Sequence, residues 1–411
     1  MKNTNYTILP CLLAIVVDGM GFGLVYPIMT AMFTDPNSVF SSHLSINMRH
    51  FYLGLGYMLY PFCMFFGASF MGDLSDNWGR KKVILICMLG LFISFLLMGL
   101  SVLFTSIFLL MLGRAFSGLM AGSQPIAQAA IADISTADNK ATNMSIMTLA
   151  LSVANVAGPL IGGVFSDNSL SSYFNFSTPF FISATLALIA AIWIYYGFQE
   201  TYINSNQKPL NLLRPIYIFI EGLKHKSVRW LMIIFLLMQL GFSIYFQFIL
   251  VLLNTNFNYS NWQLGAFNAF IGLCFVISLT LGMRLMLRIW KVNTIAIICL
   301  FIVGIGLLLT VFSTKEWEIW LLALPISAFD MIAYTALLTS FSDSVDKSAQ
   351  GWVMGLSGAL MAMAWAITGL SANLLPIMGT FGLILIGGIL LLLSAALMWF
   401  YTHSHIYINQ N

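Results

Sequence analysis

Apolar positions in this chain run in blocks of about 20 residues, separated by short polar stretches, from one end to the other. A helix rises about 1.5 Å per residue, so about 20 apolar residues cross the ~30 Å hydrocarbon layer of a bilayer. Twelve such runs are present: Ile8–Phe33, Phe51–Met71, Val83–Leu103, Ser106–Ile131, Met144–Phe165, Pro179–Phe198, Trp230–Leu253, Trp262–Met283, Val292–Ser313, Glu318–Phe341, Trp352–Leu374 and Ile377–Tyr401. The pattern predicts an all-α polytopic membrane protein. The first run is longer than the apolar core of a signal peptide, carries Asp18 and Pro27, and has only Lys2 before it, so it reads as a span.

Composition agrees. The 411 residues are 60% hydrophobic and 8% charged, too few charges to cover a water-facing surface of that size. A net charge of +3 is far too small for a nucleic-acid binder, and the five cysteines all fall in apolar runs, where they read as small apolar side chains. With the N-terminus in the cytoplasm, fourteen of the seventeen Lys and Arg, from Lys2 through Arg80, Lys81, Lys208 and Arg214 to Lys347, collect on the cytoplasmic side. Arg49 and Lys315 fall on the other side, and Arg114 lies inside a run. The positive-inside rule then places both termini in the cytoplasm.

The longest polar interruption, residues 199–229, is basic, holds Pro209 and Pro215, and divides the runs six and six. The expected domains are therefore a bundle at 1–198, a linker at 199–229 and a bundle at 230–411. An offset of 210 maps Gly72 onto Gly282, Lys81 onto Lys291, Asp133 onto Asp343 and Met144 onto Met354. Two loops sharing one offset suggest two pseudo-symmetric six-helix bundles, an arrangement in which transport sites lie near mid-bilayer between the halves.

After the second run the chain reads Gly72-Asp73-Leu74-Ser75-Asp76-Asn77-Trp78-Gly79-Arg80-Lys81-Lys82. Gly72 and Gly79 suit close backbone packing and a tight turn, and Asp76 is expected to accept hydrogen bonds at the start of the next helix. The string resembles the loop signature of the major facilitator superfamily, with Asn77 standing where that family usually has Arg or Lys. The first run holds Asp18-Gly19-Met20-Gly21-Phe22-Gly23, the fourth Gly113-Arg114-Ala115-Phe116-Ser117-Gly118, and the fifth Gly158-Pro159-Leu160-Ile161-Gly162-Gly163. These resemble the twelve-helix drug/proton antiporters of that superfamily, such as the tetracycline exporters, and the last matches their antiporter motif. The resemblance covers most of the N-terminal half. It implies a proton-driven transporter that works by alternating access, with Gly72, Asp76, Gly79, Arg80 and Lys81 as a gating loop and a monomer as the functional unit. Those exporters also carry an acid in the third span. Val83–Leu103 has none, so their coupling scheme does not carry over whole.

The glycine pairs Gly19/Gly23, Gly118/Gly122, Gly158/Gly162 and Gly351/Gly355 are each four apart, the spacing that lets helices approach closely in lipid. Only Asp18, Asp330 and Arg114 are charges deep within the runs, and each costs at least about 2.5–3.5 kcal/mol there without a partner or cavity. Counted along straight helices, they lie about 16, 12 and 18 Å from the inner boundary, so one mid-bilayer cavity could hold all three. An Asp18–Arg114 pair is the preferred contact. Burial raises a carboxyl's pKa and a nearby guanidinium lowers it, so a conformational change at such a pair moves a proton. The static alternative is an ion pair that only holds the bundle together. Asp330 is a second proton or substrate site, or else a core residue bonded to Ser327 or Tyr334.

On a straight fourth helix, Arg114, Gly118, Ala121, Pro125 and Gln128 fall within about 40° of one line. Gln124, Gln128, Gln239, Gln247 and Tyr334 are the substrate-cavity candidates, with interhelical hydrogen bonding as the alternative role of the glutamines. No catalytic, metal or cofactor motif is present, and the five histidines lie outside the runs. The chain thus reads as a proton-coupled secondary transporter of the cell inner membrane, exporting a small organic or amphiphilic compound. A proton symporter importing a carboxylate, siderophore or other nutrient is the alternative.

Overall fold

The chain folds, in the computed structural model, as helices throughout the described residues 5–36, 38–136, 139–202, 210–346 and 349–408. Lys2, Lys208 and Lys347, counted for orientation, and Pro209 of the linker lie outside them. Eleven stretches among the described residues are long and apolar enough to cross a membrane, and the last, Gln350–His403, has 54 residues, enough for two crossings.

In chain order the helices are α1 (Asn5–Thr34), α2 (Ile46–Trp78), α3 (Arg80–Leu103), α4 (Ile107–Leu119), α5 (Ser123–Asp133), α6 (Lys140–Ser166), α7 (Thr178–Gly197), α8 (Arg214–Lys224), α9 (Lys226–Phe257), α10 (Asn261–Ile277), α11 (Met283–Leu287), α12 (Val292–Val311), α13 (Glu316–Asp343), α14 (Gln350–Leu370) and α15 (Leu375–Ile408). A π-helical segment, Ser278–Gly282, joins α10 to α11. The long C-terminal stretch is interrupted by a 3₁₀ turn at Ser371–Leu374 and by Gly379, whose φ of 66° only glycine adopts readily.

Two compact units form. One comprises residues 1–214 with 259–269, the other residues 215–258 with 270–411. The boundary falls inside the predicted linker, and the first turns of α10 group with the first unit.

In the first unit, α1 and α6 mesh through small residues. A side chain on Gly158 would strike the Met20 backbone and one on Gly162 the Leu24 backbone, while Gly19 faces Ala154 and Gly23 faces Pro159. Gly118 lies on the Tyr60 carbonyl and Gly122 on Met71, closing α4 and the start of α5 onto α2. With lipid tails as apolar as leucine, such close backbone approach and its dispersion contacts drive helix association. Gly351 and Gly355 are different. Nothing lies within 4 Å of a side chain at Gly351, and only Ile218 at 3.9 Å meets Gly355, so this pair is no packing seam.

The far end of α6 is tied to α10 by reciprocal caps. Asn261 donates from Nδ2 to the Ser166 carbonyl (3.0 Å), and Asp167 accepts from the Trp262 N–H (3.0 Å) and the Ser169 N–H (3.0 Å). Each helix end thereby satisfies orphan backbone groups of the other. Burial pushes the Asp167 carboxyl up, but these hydrogen bonds outweigh it and hold the group below the usual aspartate value.

Candidate functional site: a buried carboxylate on a broken helix

The fourth span is two helices. The α-helical ladder stops at Leu119 and restarts at Ser123, with Met120 to Gly122 as a turn between them. Pro125 has no N–H to donate to the Ala121 carbonyl, and flanking glycines tolerate the bend, so the break is written locally.

Its consequence is chemical. The N-terminus of α5 points its free donors at Asp18 of α1, which is buried at 5% exposure. Asp18 Oδ2 accepts from Ser123 Oγ (2.5 Å) and from the Gln124 N–H (3.2 Å). The positive end of the α5 dipole adds to these two bonds, the geometry by which helix N-termini hold carboxylates.

Asp18 does not pair with Arg114. The guanidinium, 1% exposed, donates from Nε to the Gly56 carbonyl (2.9 Å) and lies 5.1 Å over the Tyr60 ring. The expected pair assumed one straight helix. The break instead delivers α5 backbone to Asp18 and leaves Arg114, on α4, facing α2. The polar stripe from Arg114 to Gln128 is likewise divided between two helices. Arg114 Nη2 has no hydrogen-bond partner.

Around them lies an aromatic and hydroxyl lining that sequence reasoning missed. Phe22 packs edge-on to Tyr26 (5.2 Å) and against Tyr60 (5.7 Å), Tyr26 packs on Tyr57 (5.1 Å), and Tyr57 and Thr30 share a 2.7 Å hydrogen bond. The signal was in the chain: Asp18, Phe22, Tyr26 and Thr30 recur every fourth residue, one face of α1.

In the second unit Asp330 is buried at 4% exposure on the unbroken α13. Its Oδ1 has no hydrogen-bond partner, nor has Ser327 Oγ, so the expected bond to Ser327 is not made. Tyr334 lies one turn on, packed against Phe235 at 5.7 Å. Gln239 is buried, and Gln247 donates from Nε2 to the Trp365 carbonyl (3.3 Å) while its Oε1 stays unpartnered. Gln128 is half-buried, and Gln124 reaches Asp18 through its backbone.

The predicted gating loop is short, because α2 continues through Asp76 to Trp78. Arg80 Nη1 donates to Asp76 (2.7 Å) and Ser75 Oγ (2.5 Å), and its Nε reaches Asp133 at the end of α5 (3.3 Å). Asp76 therefore does not cap α3. Glu200 does, accepting from the N–H groups of Arg80 (2.8 Å) and Lys81 (3.1 Å). Gly79, with φ of 96°, lies against that carboxylate, so a side chain there would be both strained and obstructed. Gly72 meets nothing within 4 Å and is not the packing glycine expected. Tyr202 lies 4.8 Å beneath Arg80, and Asp73 pairs with Arg214.

A membrane-crossing helical chain with buried charges in two units is the architecture of a secondary transporter. The family model of the Major Facilitator Superfamily matches residues 11–369, and the chain belongs to that family. It is a transporter and not an enzyme. It is 26% identical to the tetracycline resistance protein, class H, of Pasteurella multocida over 374 residues, 90% of this chain and 88% of that protein. Multidrug resistance protein 2 of Bacillus subtilis (strain 168) is 26% identical over 372 residues, 88% of this chain and 86% of that protein. The crystal structure of the human organic anion transporter MFSD10 (TETRAN) superposes with a TM-score of 0.70 at 18% identity, covering 97% of this chain and 100% of the other. That likeness shows the fold alone.

Proposed function

We propose that this protein exports a small organic or amphiphilic compound across the cell inner membrane in exchange for protons, with Asp18 as the proton carrier. Its relatives named for tetracycline and multidrug resistance support the direction and the substrate class. The observation that carries the reading is Asp18 seated on the N-terminus of α5.

Protonation removes the charge that the α5 N-terminus and Ser123 hold, so it weakens the tie between α1 and the lower half of the fourth span. The helix break, already built in, gives α5 a hinge about which to move. Arg114, a permanent cation on α4, is a further proton-coupling candidate, seated on the Gly56 carbonyl and the Tyr60 ring and not on Asp18. Asp330 is the second candidate proton site. Gln124, Gln128, Gln239, Gln247 and Tyr334 offer polar groups to the substrate. Arg80, Lys81, Asp76 and the glycines Gly72 and Gly79 gate the cytoplasmic end, and of the antiporter-motif residues Gly158, Pro159 and Gly162 pack α6 on α1 while Gly163 lies against Gly265 of α10. The functional unit is a monomer of two six-helix bundles, 1–198 and 230–411, joined by 199–229, with both termini cytoplasmic.

Everted membrane vesicles test this. Adding substrate to vesicles holding an imposed pH gradient should draw protons outward, and Asp18→Asn should abolish that exchange while the protein still folds. Wild-type exchange in Asp18→Asn would refute the role. Proton and substrate movement in the same direction would refute export.

A further inference from the structure

The helix α8 is not used by the reading above, and its three sides are unlike. At 100° per residue, Pro215 and Gly222 fall together and are buried, with Gly222 set against Met232 of α9 and Leu356 of α14. About 120° further round come Ile216, Ile220 and Leu223, within about 30° of one line. These three are 38, 43 and 42% exposed. The remaining arc carries Lys224, Glu221 and Arg214, with the amphipathic ring of Tyr217, 55% exposed, between the first two. Glu221, with His225, lines an open cavity of about 620 Å³ together with Asp343, Asp346 and Trp352. The polar arc thus faces space that water can enter, while the apolar arc is bare.

Position along the chain sets the depth of that bare arc. Only His225 separates α8 from α9, a membrane-crossing helix. Trp230, 46% exposed, lies about 6 Å along α9 from its first residue, Lys226, and tryptophan near the end of a span marks a membrane interface. Lys224, Lys226 and Arg229 are exposed at the same level. An apolar stripe beside exposed cations at the end of a span complements one surface: hydrocarbon below and anionic headgroups above.

We infer that α8 is a membrane-surface helix, its Ile216–Ile220–Leu223 face sunk in the headgroup boundary of the cytoplasmic leaflet and its flanking cations Lys224, Lys226 and Arg229 bound to anionic lipid. The helix then holds the connector between the two units against the bilayer, and lipid charge becomes a determinant of how the carrier is held.

The test uses the full-length protein, one copy per nanodisc, in phosphatidylcholine with and without phosphatidylglycerol. Nitroxide labels at Ile216→Cys, Ile220→Cys and Glu221→Cys, in a Cys63→Ser background, report collision with oxygen and with a water-soluble nickel chelate. Labels at 216 and 220 should be oxygen-accessible and shielded from nickel, with the reverse at 221. Equal nickel accessibility at all three would put the face in water and overturn the proposal. Shielding from both agents would put protein over the face and overturn it equally. Spin-labelled phosphatidylglycerol should be immobilised by the wild type in preference to phosphatidylcholine. Lys224→Gln with Lys226→Gln should cut that preference by roughly fivefold per cation removed. An absence of preference in the wild type would overturn the anionic-lipid part.

Discussion

Among the described residues, each unit buries one acid within a membrane-crossing helix, and the two are held in opposite ways. Asp18 receives a hydroxyl and a backbone N–H, because the helix facing it is broken and presents its N-terminus. Asp330 sits on a helix unbroken from Glu316 to Asp343, with Oδ1 unpartnered and a neighbouring serine equally unpartnered. The difference shows what a helix break is for in a membrane. A continuous helix consumes its own amides, and only an interrupted one has donors to offer a carboxylate.

Replacing each acid by leucine should therefore change stability with opposite sign. Asp18→Leu strands the two α5 donors and should cost about 2–6 kcal/mol, since orphaned buried groups cost about 1–3 kcal/mol each. Asp330→Leu removes an unpartnered buried group and should gain about 1–3 kcal/mol. Thermal unfolding of the two variants in one detergent reads the contrast, and a loss of equal size in both would erase it.

Smaller and more pointed is Ser123→Ala, which removes one donor from Asp18 and leaves the Gln124 N–H. It should cost about 2 kcal/mol, the range for a hydrogen bond to a charged group. It should also move the pH dependence of proton exchange, while the matching Ser327→Ala, which removes an unpartnered buried hydroxyl beside Asp330, should gain about 1 kcal/mol and leave the pH dependence unmoved.

Asp167, at the α6–α10 caps, is a satisfied acid outside the membrane and gives the reference case. Its carboxyl is held below its usual value, so its stabilising contribution is complete at neutral pH. The contribution begins to fall near the unfolded value of about 3.9 and is gone below the folded one. Asp167→Asn should lower stability by about 1 kcal/mol at pH 7. The gap between wild type and variant in unfolding temperature should close as pH falls below about 4. A gap independent of pH would mean that the carboxylate charge does not hold the caps.

The spans were legible because a membrane-crossing helix is defined by length and apolarity alone, and each predicted run lies within a few residues of a helical stretch. The α1–α6 seam was legible too, since Gly19, Gly23, Gly158 and Gly162 show their spacing in the chain. What failed was pairing. Arg114 and Asp18 came out at matching depths only on the assumption of a straight helix, and Gly122 with Pro125 bends it. Glu200 could not be found at all. It lies 120 positions from Arg80, and nothing local distinguishes it from any other acid at the end of a span.

That this chain enters a bilayer, how many times it crosses, and which few charges go with it are all readable from the order of its residues. Those properties follow from transfer free energy, which sums over a segment without regard to its neighbours. Which donor meets which acceptor was decided only in three dimensions. A single turn of helix, opened at Met120 to Gly122, re-aims every side chain and amide beyond it, and no property of the separate segments records where they will then point.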